Sequence, residues 1–119
     1  MSVRKAIYDL INDVETKAYP LVAPQSVTDP YITFSMHRFP NRTQDGIGPE
    51  EVDLTVNIFS SKHADAVTLA DAIYAGLEGA TGSYDTEDIM ICNWESESDD
   101  YIEGLDKVVI TQEYNLKFN

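Results

Sequence analysis

The residues of this chain that could do chemistry are two histidines, one cysteine and a dense set of carboxylates. Neither His37 nor His63 has a nearby sequence partner for a triad. His63 also falls at the start of an expected helix, where a protonated imidazole faces the unfavourable end of the dipole. Both histidines read as structural or solvent-facing. Cys92 lies in the run Ile89-Met90-Ile91-Cys92-Asn93-Trp94 with acidic flanks. A nucleophilic thiolate needs an electropositive, partly exposed setting, so this one reads as a buried structural thiol. Glu95, Glu97, Asp99, Asp100, Glu103 and Asp106 imitate the first half of a calcium-binding loop. Asp100, however, stands at the sixth position, where that loop needs glycine, and Asp106 closes it where glutamate is required. The segment at about 95–106 therefore reads as a solvated acidic loop. Gly46-Ile47-Gly48 lacks the third glycine, the following helix and the lysine of a phosphate-binding loop. No catalytic, cofactor-binding or metal-ligating residue is expected, and no enzyme.

One local contrast remains. Arg38 and Arg42 bracket Phe39 in a chain with only 8 basic residues. Arginine and aromatic side chains dominate interface hot spots, so Arg38, Phe39 and Arg42 are the candidate assembly contact. They sit at the start of a stretch, about 39–50, that holds Pro40, Asn41, Asp45-Gly46, Gly48 and Pro49. It reads as a long mobile loop or an extended hairpin.

These residues need elements to hold them. Val3, Ile7, Leu10, Ile11, Val14 and Ala18 fall on one helical face, giving an amphipathic helix that ends before Pro20. A short strand is expected near Leu21. Residues 31–37 alternate, with Ile32, Phe34 and Met36 on one side, and Val52, Leu54, Val56 and Ile58 make a second strand. Ser60 or Ser61 can cap a helix over 63–77, whose stripe is Ala66, Leu69, Ala70, Ile73 and Leu77. Residues 88–94 read as a short strand. Val108, Ile110, Tyr114, Leu116 and Phe118 alternate along the last one. Strand runs set between helices predict an α+β fold. It is expected to be a mostly antiparallel sheet of four to five strands with two helices packed on one face.

The 119 residues suit one domain, 1–119, and the hydrophobic fraction of 43% excludes a disordered chain. The formal charge is −13. Such a surface repels phosphate backbones, which argues against binding nucleic acid through a basic footprint. A lone cysteine excludes an internal disulfide and suggests a reducing, intracellular compartment. The first twenty residues carry no continuous apolar segment, so neither a secretory signal nor a membrane span is expected there.

The layout also resembles the small tail-completion (tail-terminator) proteins of long-tailed bacteriophages and prophages. The pieces that carry it are Ala6-Ile7-Tyr8-Asp9-Leu10-Ile11, Tyr19-Pro20-Leu21-Val22-Ala23-Pro24-Gln25, and Pro30-Tyr31-Ile32-Thr33-Phe34. The strand over 52–59, the helix Ala64-Asp65-Ala66-Val67-Thr68-Leu69-Ala70-Asp71-Ala72-Ile73, and Asp99-Asp100-Tyr101 leading to Tyr114-Asn115-Leu116 complete it. The resemblance implies a homo-oligomeric ring, commonly a hexamer, capping the head-proximal end of the tail tube and stopping its polymerisation. It implies tail tube and head-tail connector proteins as partners, a central hole through which DNA passes without specific binding, and no cofactor. The location it implies is the virion tail, with assembly in the bacterial host cytoplasm. An acidic DNA mimic that inhibits a nucleic-acid-binding protein is the competing reading. The net charge is its support, but a mimic needs a dense, regular array of carboxylates, and here nine acidic residues lie between Asp85 and Asp106 while the rest are spread through amphipathic elements.

Overall fold

The computed structural model describes residues 3–14, 18–20, 30–39, 42–43, 46–47, 50–79, 81–84, 87–104 and 106–118. Helix α1 (Val3–Val14) is followed by β1 (Ala18–Pro20), β2 (Tyr31–Phe39), β3 (Arg42–Thr43), β4 (Gly46–Ile47) and β5 (Glu50–Ser60). Helix α2 (His63–Leu77), β6 (Gly82–Tyr84), β7 (Glu87–Ile102) and β8 (Lys107–Phe118) complete the chain. Six strands form one sheet in the order β1-β2-β5-β8-β7-β6, and β3 pairs with β4 separately. Among the described residues only the β1–β2 pair is parallel, so the fold is α+β with a mostly antiparallel sheet. The count exceeds the expected four to five because two three-residue strands, β1 and β6, fringe the edges.

The period-2 pattern decides which way each strand faces. Ile32, Ile58 and Ile110 lie level across β2, β5 and β8, as do Phe34, Val56 and Gln112. All six are buried. This side receives α2, which packs on β5, β8 and β7, while α1 packs beside α2 and against β6. The result is two layers around one apolar cluster. Helix α1 buries Ile7, Leu10 and Ile11, three positions of its predicted stripe, together with the neighbouring Ala6. Ala18 does not extend that helix. It begins β1, paired with Ile32, and its small side chain is buried there. Leu21, near which a strand was expected, lies outside the described residues.

Two local expectations are corrected. The residue at the N-cap of α2 is Lys62, which makes no side-chain cap bond. The Ser60 hydroxyl instead accepts the Lys62 N–H at 3.1 Å, ordering the chain one step before the helix. At the other end, Gly79 takes φ 75, the left-handed residue that commonly closes a helix.

The second correction is larger. The segment at about 95–106 is not a loop, because β7 runs on to Ile102 and pairs with β8 as far as Ile102–Lys107. Only the turn around Glu103, Gly104 and Asp106 reverses the chain. A bulge between Trp94 and Ser96 adds one residue and keeps the ladder in phase beyond it. Sixteen residues at about 3.3 Å each span roughly 50 Å, which matches the 50 Å long axis of the molecule. The 39–50 stretch contains the β3–β4 ladder, with Arg42 opposite Ile47 and Thr43 opposite Gly46. Of its two readings the extended hairpin fits these residues.

Candidate assembly surfaces

Chemistry would need convergent polar groups, and the geometry separates them. Cys92 is fully buried. Burial, and then the neighbouring Glu78 charge, push its thiol up to about 12, so it stays protonated and inert at neutral pH. His37 is exposed on β2. His63 Nε2 lies 3.4 Å from Asp99 Oδ2, a loose contact between two side chains that are both more than half exposed. The carboxylates after Trp94 occupy a strand and alternate between its faces, which spreads them along a line instead of wrapping them around an ion. Among the described residues no group of three or more His, Cys, Asp or Glu could hold a metal ion. A depression of about 360 Å³ beside α2 is lined by Pro30, Asp65, Thr68, Leu69 and Ala72, with little polar chemistry.

What the structure builds instead is a set of surfaces. The sheet face opposite the helices is polar and rigidly laddered. Thr111 Oγ1 donates to Asn57 Oδ1 at 2.8 Å, Asn115 Nδ2 to Asp53 Oδ1 at 3.0 Å, and Ser96 Oγ to Glu113 Oε2 at 3.1 Å. Glu95, in the bulge, has its carboxyl pushed up by partial desolvation and then by the charges of Asp53, Glu113 and Glu51. Four carboxylates thus share this open face. At its far end Tyr31 stacks on Phe59 with ring centroids 5.1 Å apart, and Lys107 Nζ sits 4.6 Å from the Tyr31 ring centre.

The helix side of β7 carries contacts that the linear sequence did not announce. Gln112, fully buried in β8, donates from Nε2 to the Ala70 carbonyl at 2.9 Å and to Glu97 Oε1 at 2.8 Å. Its Oε1 accepts the Tyr114 hydroxyl at 2.9 Å. One amide thus ties α2, β7 and β8 together. The available signal was a polar interruption in the apolar alternation from Val108 to Phe118. Farther along, the backbone of β7 is held by the end of α2. Gly79 N–H donates to the Cys92 carbonyl at 2.7 Å, and Trp94 N–H donates to Glu78 Oε2 at 2.6 Å. Tyr74 and Trp94, each 42% exposed, meet edge to face at 5.6 Å beside this junction.

Arg38 and Phe39 lie in β2, opposite Val52 and Glu51, and Arg42 lies in β3. All three are therefore on ordered strand backbone near one end of the β2–β5 hairpin. Their side chains lie outside the described residues.

None of the curated proteins compared with the chain matches it. A solved structure does match: "Virion of native gene transfer agent (GTA) particle", at 15% identity and TM-score 0.79. That match covers 98% of this chain and 94% of the other, and it shows a shared fold. The model of the family described as "Tail completion protein gp17" matches residues 5–114, from α1 into the last strand. The chain belongs to the tail completion protein gp17 family, and it is a structural component of the phage virion tail.

Proposed function

We propose that copies of this chain close into a ring, six in the arrangement the resemblance implies, at the head-proximal end of the tail tube. The ring stops tube polymerisation, joins the tail to the head connector and leaves a hole through which DNA passes. The observation that carries this reading is the family match over residues 5–114. The gene transfer agent particle in which the similar fold occurs is an assembled virion, which fits a chain that works by contact with neighbouring proteins. The work assigned is mechanical, and no catalytic step is part of it.

The surface supports the reading. A passage for sliding DNA must not hold phosphates, and an acidic wall repels them where a basic groove would bind. The open sheet face, with Glu51, Asp53, Glu95 and Glu113 close enough for their charges to raise the Glu95 carboxyl, has the required sign. The DNA-mimic reading fits less well. The carboxylates of β7 divide between two faces, and Glu97 and Asp99 are engaged by Gln112 and His63.

Arg38, Phe39 and Arg42 are the proposed contact with the tube or connector. Replacing all three with alanine should leave the thermal unfolding of the isolated chain nearly unchanged if they serve contact with a neighbour and not the fold. Tail joining should be lost. Tails of uniform length and full infectivity from that variant would remove the three residues from the interface.

A further inference from the structure

We infer that neighbouring copies join knob into hole, the exposed Tyr74–Trp94 pair of one copy seating in the depression beside α2 of the next. The inference rests on the ring reading above and names the two surfaces by which the ring closes.

The knob and the hole lie on opposite flanks of α2. A helix turns about 100° per residue, so Tyr74, nine residues past Asp65, points about 180° away from it. Asp65, Thr68, Leu69 and Ala72 recur at spacings of three and four and share one flank, where Pro30, just ahead of β2, lines the same depression. His63 and Tyr74 share the other flank, and both reach β7. His63 approaches Asp99 there, and Tyr74 meets Trp94. The sheet order agrees, because β2 and β7 lie on opposite sides of β5 and β8, on which the helix packs.

Trp94 is the only tryptophan of the chain. It and Tyr74 are each 42% exposed, and their rings stand edge to face, so two large aromatic surfaces sit together in solvent. Both are held by their backbones. Trp94 N–H donates to Glu78 Oε2 and Gly79 N–H to the Cys92 carbonyl, which fixes β7 to the end of α2. Tryptophan and tyrosine dominate interface hot spots, because each buries a large area at small cost in conformational freedom.

The depression suits such an anchor. Its volume of about 360 Å³ is at the small end for a binding pocket, enough for one aromatic side chain. Leu69 is buried and gives it an apolar base, while Asp65, Thr68 and Ala72 stand exposed around it.

A knob on one flank and a hole on the other make a contact between two different surfaces. Copies related by rotation about one axis repeat that contact until it closes, which is how rings arise. Charge disfavours the alternative in which two aromatic flanks meet. Glu78 holds Trp94, and Glu97 and Asp99 follow along β7 on the same side of the sheet. A self-facing contact would bring two such sets together, and like charges facing each other suppress a pairing. The lining of the depression contributes one carboxylate, Asp65, with Lys62 one turn before it.

Ala72→Trp fills the depression from an exposed position and should abolish rings and joined tails in electron micrographs. Ala75→Trp, exposed on the same helix but outside the lining, should assemble normally. Trp94→Ala, which keeps the backbone bond to Glu78, should lose ring closure as well, with thermal unfolding of the isolated chain confirming that each variant folds. A second measurement uses assembled particles under mild oxidation. Tyr74→Cys combined with Ala72→Cys or Thr68→Cys should give, for at least one of the two pairs, a ladder of covalent multimers ending at ring size. The paired side chains point away from each other around α2, so the bond cannot close within one chain, and the native Cys92 is buried. Each single cysteine variant should remain monomeric on a non-reducing gel. Joined tails from Trp94→Ala, while Ala72→Trp blocks them, would give the depression to a different protein and overturn the joint between copies. Rings from Ala72→Trp, or rings from both cysteine pairs without a ladder, would overturn it equally and leave the ring reading standing. Unaltered particles in which this chain forms no ring would remove the ring reading, and the joint with it.

Discussion

Ile73→Ala should destabilise the protein by about 2–5 kcal/mol, while Asp71→Ala, two positions away, should change stability by about 0.5 kcal/mol or less. Ile73 is fully buried in the cluster that joins α2 to the sheet, together with Leu54, Val56 and Leu77. Truncating it removes apolar contact and leaves a cavity that the laddered strands beneath cannot readily collapse around. Asp71 points to solvent on the opposite side of the same helix. Denaturant titration of both variants measures the contrast. Equal losses would mean that α2 presents a different face to the sheet.

Gln112→Leu should cost about 1–3 kcal/mol, even though the replacement is apolar, buried and similar in volume. The loss comes from the Tyr114 hydroxyl, which gives its proton to Gln112 Oε1 inside the core. Burial, first of all, raises the pKa of that phenol, so it remains a protonated donor needing an acceptor. Adding Tyr114→Phe to Gln112→Leu should recover most of the loss, because removing both partners of a buried hydrogen bond is nearly neutral. Glu97, exposed at the strand surface, returns to water without large cost. Thermal or denaturant unfolding of the two single variants and the double variant closes the cycle. Strictly additive losses would show that the amide and the phenol act independently.

Where burial set the residue pattern, the fold was legible in the sequence. The alternation Val52, Leu54, Val56, Ile58 and the α2 stripe Ala66, Leu69, Ala70, Ile73, Leu77 recur residue for residue in the core. One face of each element is dry and the other is wet, and that contrast writes the period. The second half of β7 has no such contrast. Residues 95–101 are exposed on both faces, and serine, aspartate and glutamate have little intrinsic preference for strands. Its extended form comes from pairing with β8, a partner it reaches through a tight turn, so local composition suggested a loop. Ala18 misled for a different reason. It continues the helical spacing of α1, yet it is buried by pairing with Ile32, a contact made far along the chain. The Gln112 network was hidden in the same way, since each of its partners belongs to a different element. The arginine–aromatic pair was visible as a composition contrast, and the structure adds that its backbone continues the β2 strand.

If this chain ends the tail tube and joins it to the head, a producing strain without the gene should make filled heads and separate tubes of uncontrolled length. Electron microscopy of its lysates tests this directly. Supplying the intact chain from a second copy of the gene should restore joined tails of uniform length. Joined tails of normal, uniform length in the deletion strain would contradict the proposed role.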